Sequence, residues 1–282
     1  MSAGPGYIPR VSLPVAAAAL AALTACSAGP EGPVELRLSS PPAETSFRAS
    51  YRQDIDWGQT PVSREYGARY TMRAGSDTPG GAPATLDSLA ITVHTPHGSQ
   101  SLDTRALVGE SFGVSVPPRG GPATFTDEPV FEMPGLLEGR VALSRLVDYG
   151  FPPLPDEPVR PGDVWTARHG RPHAEGQIIV RAEIETEMRF AGWETVGNVE
   201  CVRLEGRIRG TAAGGAPQAR GPEVEYDGDI DGSVEWLLDP ATGVVLRATV
   251  EEVSEGVLAA GRAETPMRQV TRIRITAARR AP

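Results

Sequence analysis

Apolar and charged side chains alternate through residues 180–190, and this alternation constrains the fold more than any other feature of the chain. Neighbouring side chains of a β-strand point to opposite faces, so a repeat of two over this length predicts a strand with one buried and one solvated face. The odd-numbered residues are all charged: Arg181, Glu183, Glu185, Glu187 and Arg189. The even-numbered residues form the buried face: Val180, Ala182, Ile184, Thr186, Met188 and Phe190.

The same repeat recurs four times towards the C-terminus. It runs through residues 201–210, 224–238, 244–250 and 267–276, with apolar residues on one face and Arg, Asp or Glu on the other. The turn sequence Asp-Pro-Ala-Thr-Gly joins two of these segments. Five long strands connected by turns are typical of an antiparallel meander.

The turn at residues 239–243 allows a register to be predicted for its two flanking strands. A five-residue turn sets Glu235 opposite Arg247, a charge pair that stabilises a sheet by about 0.2–1 kcal/mol. The same register brings Asp231 opposite Glu251, which is unfavourable. A β-bulge in the glycine-bearing part of the strand would relieve this repulsion.

The first half of the chain has shorter and less regular strand patterns, such as TSFRASYRQDID and TLDSLAITVHTP. Residues 135–149 carry leucine and valine at helical spacing and predict one short helix. The prolines of 151–162 exclude a central strand, so this segment is either a domain boundary or a long loop within one sheet. The whole pattern predicts a mainly β fold: a long, strongly curved antiparallel sheet, as a half-barrel or open barrel, with one short helix.

The first 25 residues have the plan of a cleaved secretory signal peptide. Arg10 precedes the apolar run VSLPVAAAALAAL at 11–23, which is shorter than the roughly 20 residues of a membrane-spanning helix. The tetrapeptide LTAC, which ends at Cys26, resembles the lipobox of bacterial lipoproteins. That resemblance implies cleavage before Cys26, a diacylglyceryl group on its sulfur and a fatty acyl group such as palmitate on its amine.

This reading divides the chain into a signal peptide (1–25), a lipidated tether (26–33) and a single β-rich domain (34–280). Two or more acyl chains hold a protein stably on a membrane, so the expected location is the cell envelope. Within the lipoprotein resemblance, Ser27 in place of Asp implies anchorage in the outer membrane, facing the periplasm.

Composition narrows the classes of partner and of chemistry. The net charge of −9 disfavours nucleic acid, because an acidic surface repels phosphate backbones. The chain contains no Lys, so it has no lysine for a Schiff base or a phosphate-binding loop. Once Cys26 is acylated, Cys201 has no disulfide partner in the chain, and we expect it to be a small, packed side chain.

Two short motifs resemble functional sites, but their context argues against both. The sequence GESFG around Ser111 matches a nucleophile elbow, yet strand-forming residues and prolines follow where that motif needs a helix. Residues 227–232, DGDIDG, match the start of a calcium loop, but the twelfth position holds Leu238 instead of Glu. The aspartates are better explained as a solvated stripe along a strand.

The four histidines form no recognisable metal-binding set. Gly and Pro lie between His169 and His173 and exclude the helix that would aim both at one zinc ion, and His94 and His97 flank a proline turn. We therefore predict no catalytic, cofactor-binding or metal-binding residue. The lipid attachment at Cys26 is the one site residue that the sequence predicts.

A second resemblance covers residues 85–255. The segments PVRPGDVW (158–165) and GSVEWLLDPATGVVL (232–246) resemble a family of uncharacterised secreted bacterial proteins. More distantly, the pattern resembles the half-barrel of periplasmic lipoprotein and lipid carriers, which implies a curved sheet and a helix around an apolar cavity. No functional residue is carried over from either resemblance.

Three functions remain open from the sequence. The first is a non-catalytic binding module that holds a lipid or another apolar ligand on its apolar face, unless that face is simply a filled core. The second is a structural or assembly partner of an envelope complex, which would use edge strands or the arginine-bearing strand 267–276. The third is a serine esterase that uses Ser111.

Overall fold

The computed structural model describes residues 32–58, 60–74, 81–133, 139–175, 178–216 and 224–279. The signal peptide and Cys26 lie outside these residues. Most of the described chain is strand. The first six strands are β1 (Thr45–Trp57), β2 (Thr60–Met72), β3 (Ala82–Thr95), β4 (Gly98–Ser101), β5 (Ser111–Ser115) and β6 (Thr124–Thr126).

Eight further strands follow in the second half. A short hairpin comes first, formed by β7 (Val130–Met133) and β8 (Gly139–Ala142). Six long strands complete the chain: β9 (Val164–Glu175), β10 (Ile178–Val196), β11 (Val199–Ala216), β12 (Val224–Asp239), β13 (Val244–Ala260) and β14 (Ala263–Arg279).

Twelve of the strands form one antiparallel sheet that is not closed. Its order is β6-β5-β3-β2-β1-β14-β13-β12-β11-β10-β9, with β4 beside β3, while β7 and β8 pair only with each other. The predicted meander is therefore confirmed as β10–β14, with β9 added at its edge. Pairing of β1 with β14 joins the two halves of the chain, so strands from both sides of 151–162 share one sheet.

The register predicted at the β12–β13 turn is wrong. Asp239 faces Val244, so the turn has four residues, and a bulge follows between Leu237 and Leu238. Asp239 itself shortens the turn: its carbonyl accepts the Gly243 N–H at 2.8 Å. Its carboxylate also accepts the Thr242 hydroxyl at 2.6 Å. Side-chain turn chemistry of this kind is not visible in a hydrophobic repeat.

The bulge changes which charges face each other. Asp231 lies opposite Val253 instead of Glu251, so the expected repulsion across the ladder does not arise. Glu235 still reaches Arg247, at 3.1 Å, although the two residues are diagonal neighbours and not direct partners. The predicted ion pair is confirmed, but its predicted geometry is not.

The short helix predicted at 135–149 is also wrong. Residues Gly139–Ala142 form β8, Ser144–Val147 form a single helical turn that we call α1, and Asp148–Gly150 form a 3-10 turn. A helix shorter than about 12 residues is marginal by itself, and the apolar residues at helical spacing are used here for tertiary packing. None of the helical turns in the described part of the chain is long and apolar enough to cross a bilayer.

The sheet has one apolar face and one charged face. We call the apolar one the inner face; its side chains form a continuous buried cluster across the sheet. Two segments, which we call the cover, lie against it: residues 34–41 and the described part of 130–159. Leu36 and Leu38 of the cover are at most 3% exposed.

The cover is fixed to the sheet at several points. Its helical turn α1 packs against β1, its 3-10 turn against β13, and β8 against β9. The ring of Phe131 in β7 lies 6.2 Å from the ring of Tyr66 in β2, tilted by 47°. The N-terminal part joins the rest through a bridge between Val34 and Val159. The proline-rich segment 151–162 is thus part of the cover and contains no strand.

Candidate functional site

Four polar side chains form a row across the middle of the inner face. Gln53 of β1 lies between Arg64 of β2 and Thr271 of β14, and Thr271 in turn faces Glu252 of β13. Each is at most 8% exposed. We call these residues the polar row. An otherwise apolar inner face with buried charged groups is unusual, because burying a charge is unfavourable unless it is hydrogen-bonded.

The polar row holds the edge of the cover. The Tyr149 hydroxyl donates to the Glu252 carboxylate at 2.7 Å. The Trp236 indole N–H donates to the Tyr149 carbonyl, also at 2.7 Å. Arg64 donates to the Gln53 side-chain oxygen at 3.3 Å. These bonds place the 3-10 turn of the cover directly beside the row.

The half of the inner face between the polar row and the β12–β13 turn is a packed core. Tyr51, Val250 and Ile273 lie next to the row in register and are at most 5% exposed. The cavity found in this half has a volume of about 30 Å³ and is lined mainly by apolar side chains, among them Phe47 and Tyr70. Ligand pockets have volumes of roughly 300–1,000 Å³, so this one is too small for a ligand.

The half of the inner face beyond the polar row contains apolar side chains that solvent can reach. We call it the distal inner face. Ile55, Tyr226 and Ile230 are buried there, whereas Trp57, Val62, Leu258 and Met267 are only partly buried. The distal half of the face thus combines buried apolar side chains with partly exposed ones.

Glycines lie on the floor of the distal inner face. Gly228 of β12 pairs directly with Gly256 of β13, and Ala212 of β11 lies on the other side of Gly228. A Cβ atom on Gly228 would lie 2.7 Å from the Glu255 carbonyl oxygen, closer than real contacts allow. The Tyr226 hydroxyl also lies over these glycines, 2.5 Å from where a Cβ atom of Gly228 would be, so the missing side chains leave room for this tyrosine.

The two sequence motifs with a functional resemblance fall on strands. Ser111 is the first residue of β5, is exposed, and lies opposite Thr85, so no helix follows it as in a nucleophile elbow. Asp227, Asp229 and Asp231 are exposed on the charged face of β12, as the solvated stripe predicts. In the described part of the chain, no group of His, Cys, Asp and Glu side chains could hold a metal ion.

The structure places His169 and His173 on β9, opposite Ile184 and Val180. The glycine and proline between them are tolerated because β9 is an edge strand, where proline need not donate to a ladder. His94, on β3, shares a 2.7 Å hydrogen bond with the Ser99 hydroxyl.

Cys201 is a packed side chain at the start of β11, as predicted. It has no exposed surface, and burial raises its pKa to about 11, with the nearby carboxylates of Asp239 and Glu194 adding to the effect. A thiol with a raised pKa is a poor nucleophile at neutral pH. The predicted lipid attachment at Cys26 lies outside the described residues.

Sequence reasoning missed the polar row. Its signal is a set of polar residues at positions where the strand repeat requires apolar ones: Gln53 and Glu252 occupy inner positions of β1 and β13. In the segment around Glu252 two glutamates are adjacent, so one of them has to point inwards. Such an interruption of the repeat identifies a buried polar residue, but not its partners on distant strands.

No protein-family model matches the chain, and no curated protein matches it.

Proposed function

We propose that the protein is a lipid-anchored, non-catalytic component of the bacterial cell envelope that binds an apolar ligand on its distal inner face. The observation that carries this proposal is a group of partly exposed apolar side chains at the distal end of the inner face. Tyr51, Val250 and Ile273 beside the polar row are at most 5% exposed, whereas Trp57, Leu258 and Met267 are only partly buried. Exposed apolar side chains that cluster on one surface are typical of a binding site.

A curved sheet, in the form of a half-barrel, fits the contacts of the cover. Seven strand spacings separate β9 from β2, which would be about 34 Å in a flat sheet. The hairpin β7–β8 has strands of four residues, about 13 Å long, yet it packs against β9 and places Phe131 against Tyr66 of β2. Curvature brings these strands within reach of one short hairpin.

Glycines and bulges on the long strands support the same shape. Gly210, Gly228 and Gly256 face the inner side of β11, β12 and β13, where the neighbouring backbone leaves no room for a Cβ atom. Bulges interrupt β10 after Phe190 and β12 after Leu237. Inward-facing glycines and bulges are the devices that bend a sheet towards its inner face.

The expected ligand is an aliphatic or amphipathic molecule such as a lipid. The half-exposed residues are apolar, while Ser254 and Gln269 offer polar groups beside them. Anchorage through Cys26 would keep the fold on a membrane, with the distal inner face at the end of the sheet farther from the tether. Seven residues lie between Cys26 and Val34, the first residue paired in the fold, and the eight steps from one to the other span at most about 29 Å.

A fluorescent apolar probe tests the proposed binding surface. We expect N-phenyl-1-naphthylamine to bind the full chain carrying Cys26→Ser, and binding to be lost in the double variant Leu258→Gln/Met267→Gln. The matched control is Leu246→Gln, a half-buried leucine at the covered end of β13. Equal probe binding by the double variant and the control would overturn the assignment to the distal inner face.

The edge strand β9 supports an alternative function as a structural or assembly partner. It is 12 residues long and ends the described sheet, and Val164 at its start is 57% exposed. An unpaired strand edge is a template for a strand from another protein. A photocrosslinker at Thr166 in intact cells would favour this alternative if it gave one discrete adduct while the same crosslinker at Asp229, in the middle of the sheet, gave none.

A further inference from the structure

Three exposed arginines cluster on the charged outer face of the sheet. Arg48 of β1 lies directly opposite Arg69 of β2, and Arg274 of β14 is the diagonal neighbour of Arg48. We call these residues the arginine triad. Within the described part of the chain, no carboxylate lies within 4.0 Å of any of their guanidinium groups; the ion pairs of this face involve other arginines.

The next row of the same three strands is built differently. Arg52 contacts Glu65 at 3.0 Å and Asp54 at 3.1 Å. Arg272 contacts Asp54 at 3.1 Å and Glu251 at 3.5 Å. Acidic partners are therefore available on this face and neutralise the neighbouring arginines, but none pairs with the triad.

Unpaired arginines at directly opposed positions are unfavourable for the free protein. Like charges facing each other across two strands repel, and the chain as a whole carries a net charge of −9. A local excess of positive charge on an acidic protein marks a surface that an anion would neutralise. The planar guanidinium group is particularly suited to phosphate, which it can contact through two parallel hydrogen bonds.

A groove lies beside the triad and is large enough for a headgroup. Its volume is about 340 Å³, and Arg274 is the member of the triad that lines it. Ser50 and Thr249 flank Arg274 in register and also line the groove. The ion-paired side chains of the next row form the other wall: Arg52, Arg272, Glu65 and Glu251.

The triad lies near the end of the sheet at which the N-terminal segment arrives. Arg48 is three residues, about 10 Å, from Thr45 at the start of β1. The N-terminal part of the cover is held at the same end, where the Ser39 N–H donates to the Gly243 carbonyl at 3.0 Å. If Cys26 anchors the chain, as in the proposed function, its tether approaches the fold from this end.

We propose that the arginine triad binds the phosphate groups of anionic lipid headgroups. The acyl chains on Cys26 would then hold the protein on the membrane, and the triad would orient the sheet with this end towards the surface. The membrane anchorage of the proposed function is a premise for this orientation, whereas the phosphate-binding step depends only on the triad.

Vesicle binding tests the triad separately from the anchor. The full chain carrying Cys26→Ser is mixed with vesicles of phosphatidylcholine alone, or with 30% phosphatidylglycerol, and bound protein is measured by flotation. We expect binding to rise with phosphatidylglycerol and fall with salt. Each Arg→Gln change in the triad should weaken binding about fivefold, and the triple variant about 100-fold.

Arg209→Gln is the matched control. Arg209 is also exposed on the outer face without an ion pair, but Glu185 and Asp231 lie opposite it on both sides. The Arg209→Gln change should leave vesicle binding unchanged. Binding that is equal on both vesicles, or that the triple variant and Arg209→Gln alter equally, would overturn the proposal. Saturation of the triad by inorganic phosphate without vesicle recruitment would overturn the assignment to lipid.

These outcomes are distinguishable from failure of the proposed function. Membrane fractionation of the acylated chain tests the Cys26 anchor. Binding of the fluorescent probe tests the apolar site. The charge dependence of flotation is measured with Cys26 already replaced, and the triad lies on the face opposite the probe site. A negative result in one experiment therefore leaves the other two readouts intact.

Discussion

Leu146→Ala tests whether the cover completes the core of the sheet. Leu146 lies in α1, is 1% exposed and belongs to the buried cluster of the inner face. The change removes three carbon groups, whose transfer from water is worth about 2.4 kcal/mol at ~0.8 kcal/mol each. Partial collapse of the surrounding side chains leaves a cavity, which brings the expected loss to about 2–5 kcal/mol.

The matched variant is Leu258→Ala on the distal inner face. Leu258 is only half-buried, so the same change should cost about 1 kcal/mol and leave no closed cavity. Both variants are compared by urea denaturation of the full chain carrying Cys26→Ser, with the change in midpoint converted through a common slope. Equal losses for the two variants, or a loss below 1 kcal/mol for Leu146→Ala, would refute the reasoning that the cover buries Leu146 while Leu258 stays partly exposed.

Three further predictions concern single residues. Cys26→Ser should release the protein from membranes, and retention in the membrane fraction after a salt wash would contradict acylation there. Cys201 should resist iodoacetamide at pH 8 in the folded protein and react after unfolding, because its pKa is raised to about 11 by burial; fast labelling of the folded protein would contradict this. Gly206→Ala should destabilise by about 1–3 kcal/mol in a thermal melt, because its Cβ would lie 2.7 Å from Val234 and 2.9 Å from Met188; an unchanged melting temperature would show that the site can relax.

The long strands could be predicted from the sequence because their periodicity is local. Each of β10–β14 alternates for long enough that its two faces are evident without knowledge of its neighbours. The pairing of β1 with β14 could not be predicted, since Thr45 and Arg279 are far apart in the chain and nothing local in either sequence specifies the partner. The edge strand β9 was missed because Gly170 and Pro172 interrupt its pattern.

The remaining errors arise where tertiary contacts override a local pattern. Apolar spacing at 135–149 predicted a helix, but Leu143, Leu146 and Val147 are buried by packing of a strand and two turns against the sheet. The polar row was missed for the same reason, because it depends on tertiary contacts. Glu252 is compatible with the inner face because Tyr149, about 100 residues away, donates a hydrogen bond to it. A sequence repeat contains no information about such a partner.

Native mass spectrometry of the full, acylated chain purified from the cell envelope directly tests binding of an apolar molecule on the distal inner face. We expect a mass above that of the acylated protein, which corresponds to the bound molecule. This additional mass should be lost in Leu258→Gln/Met267→Gln and kept in Leu246→Gln. A wild-type spectrum without additional mass, or additional mass that persists in the double variant, would contradict binding on the distal inner face.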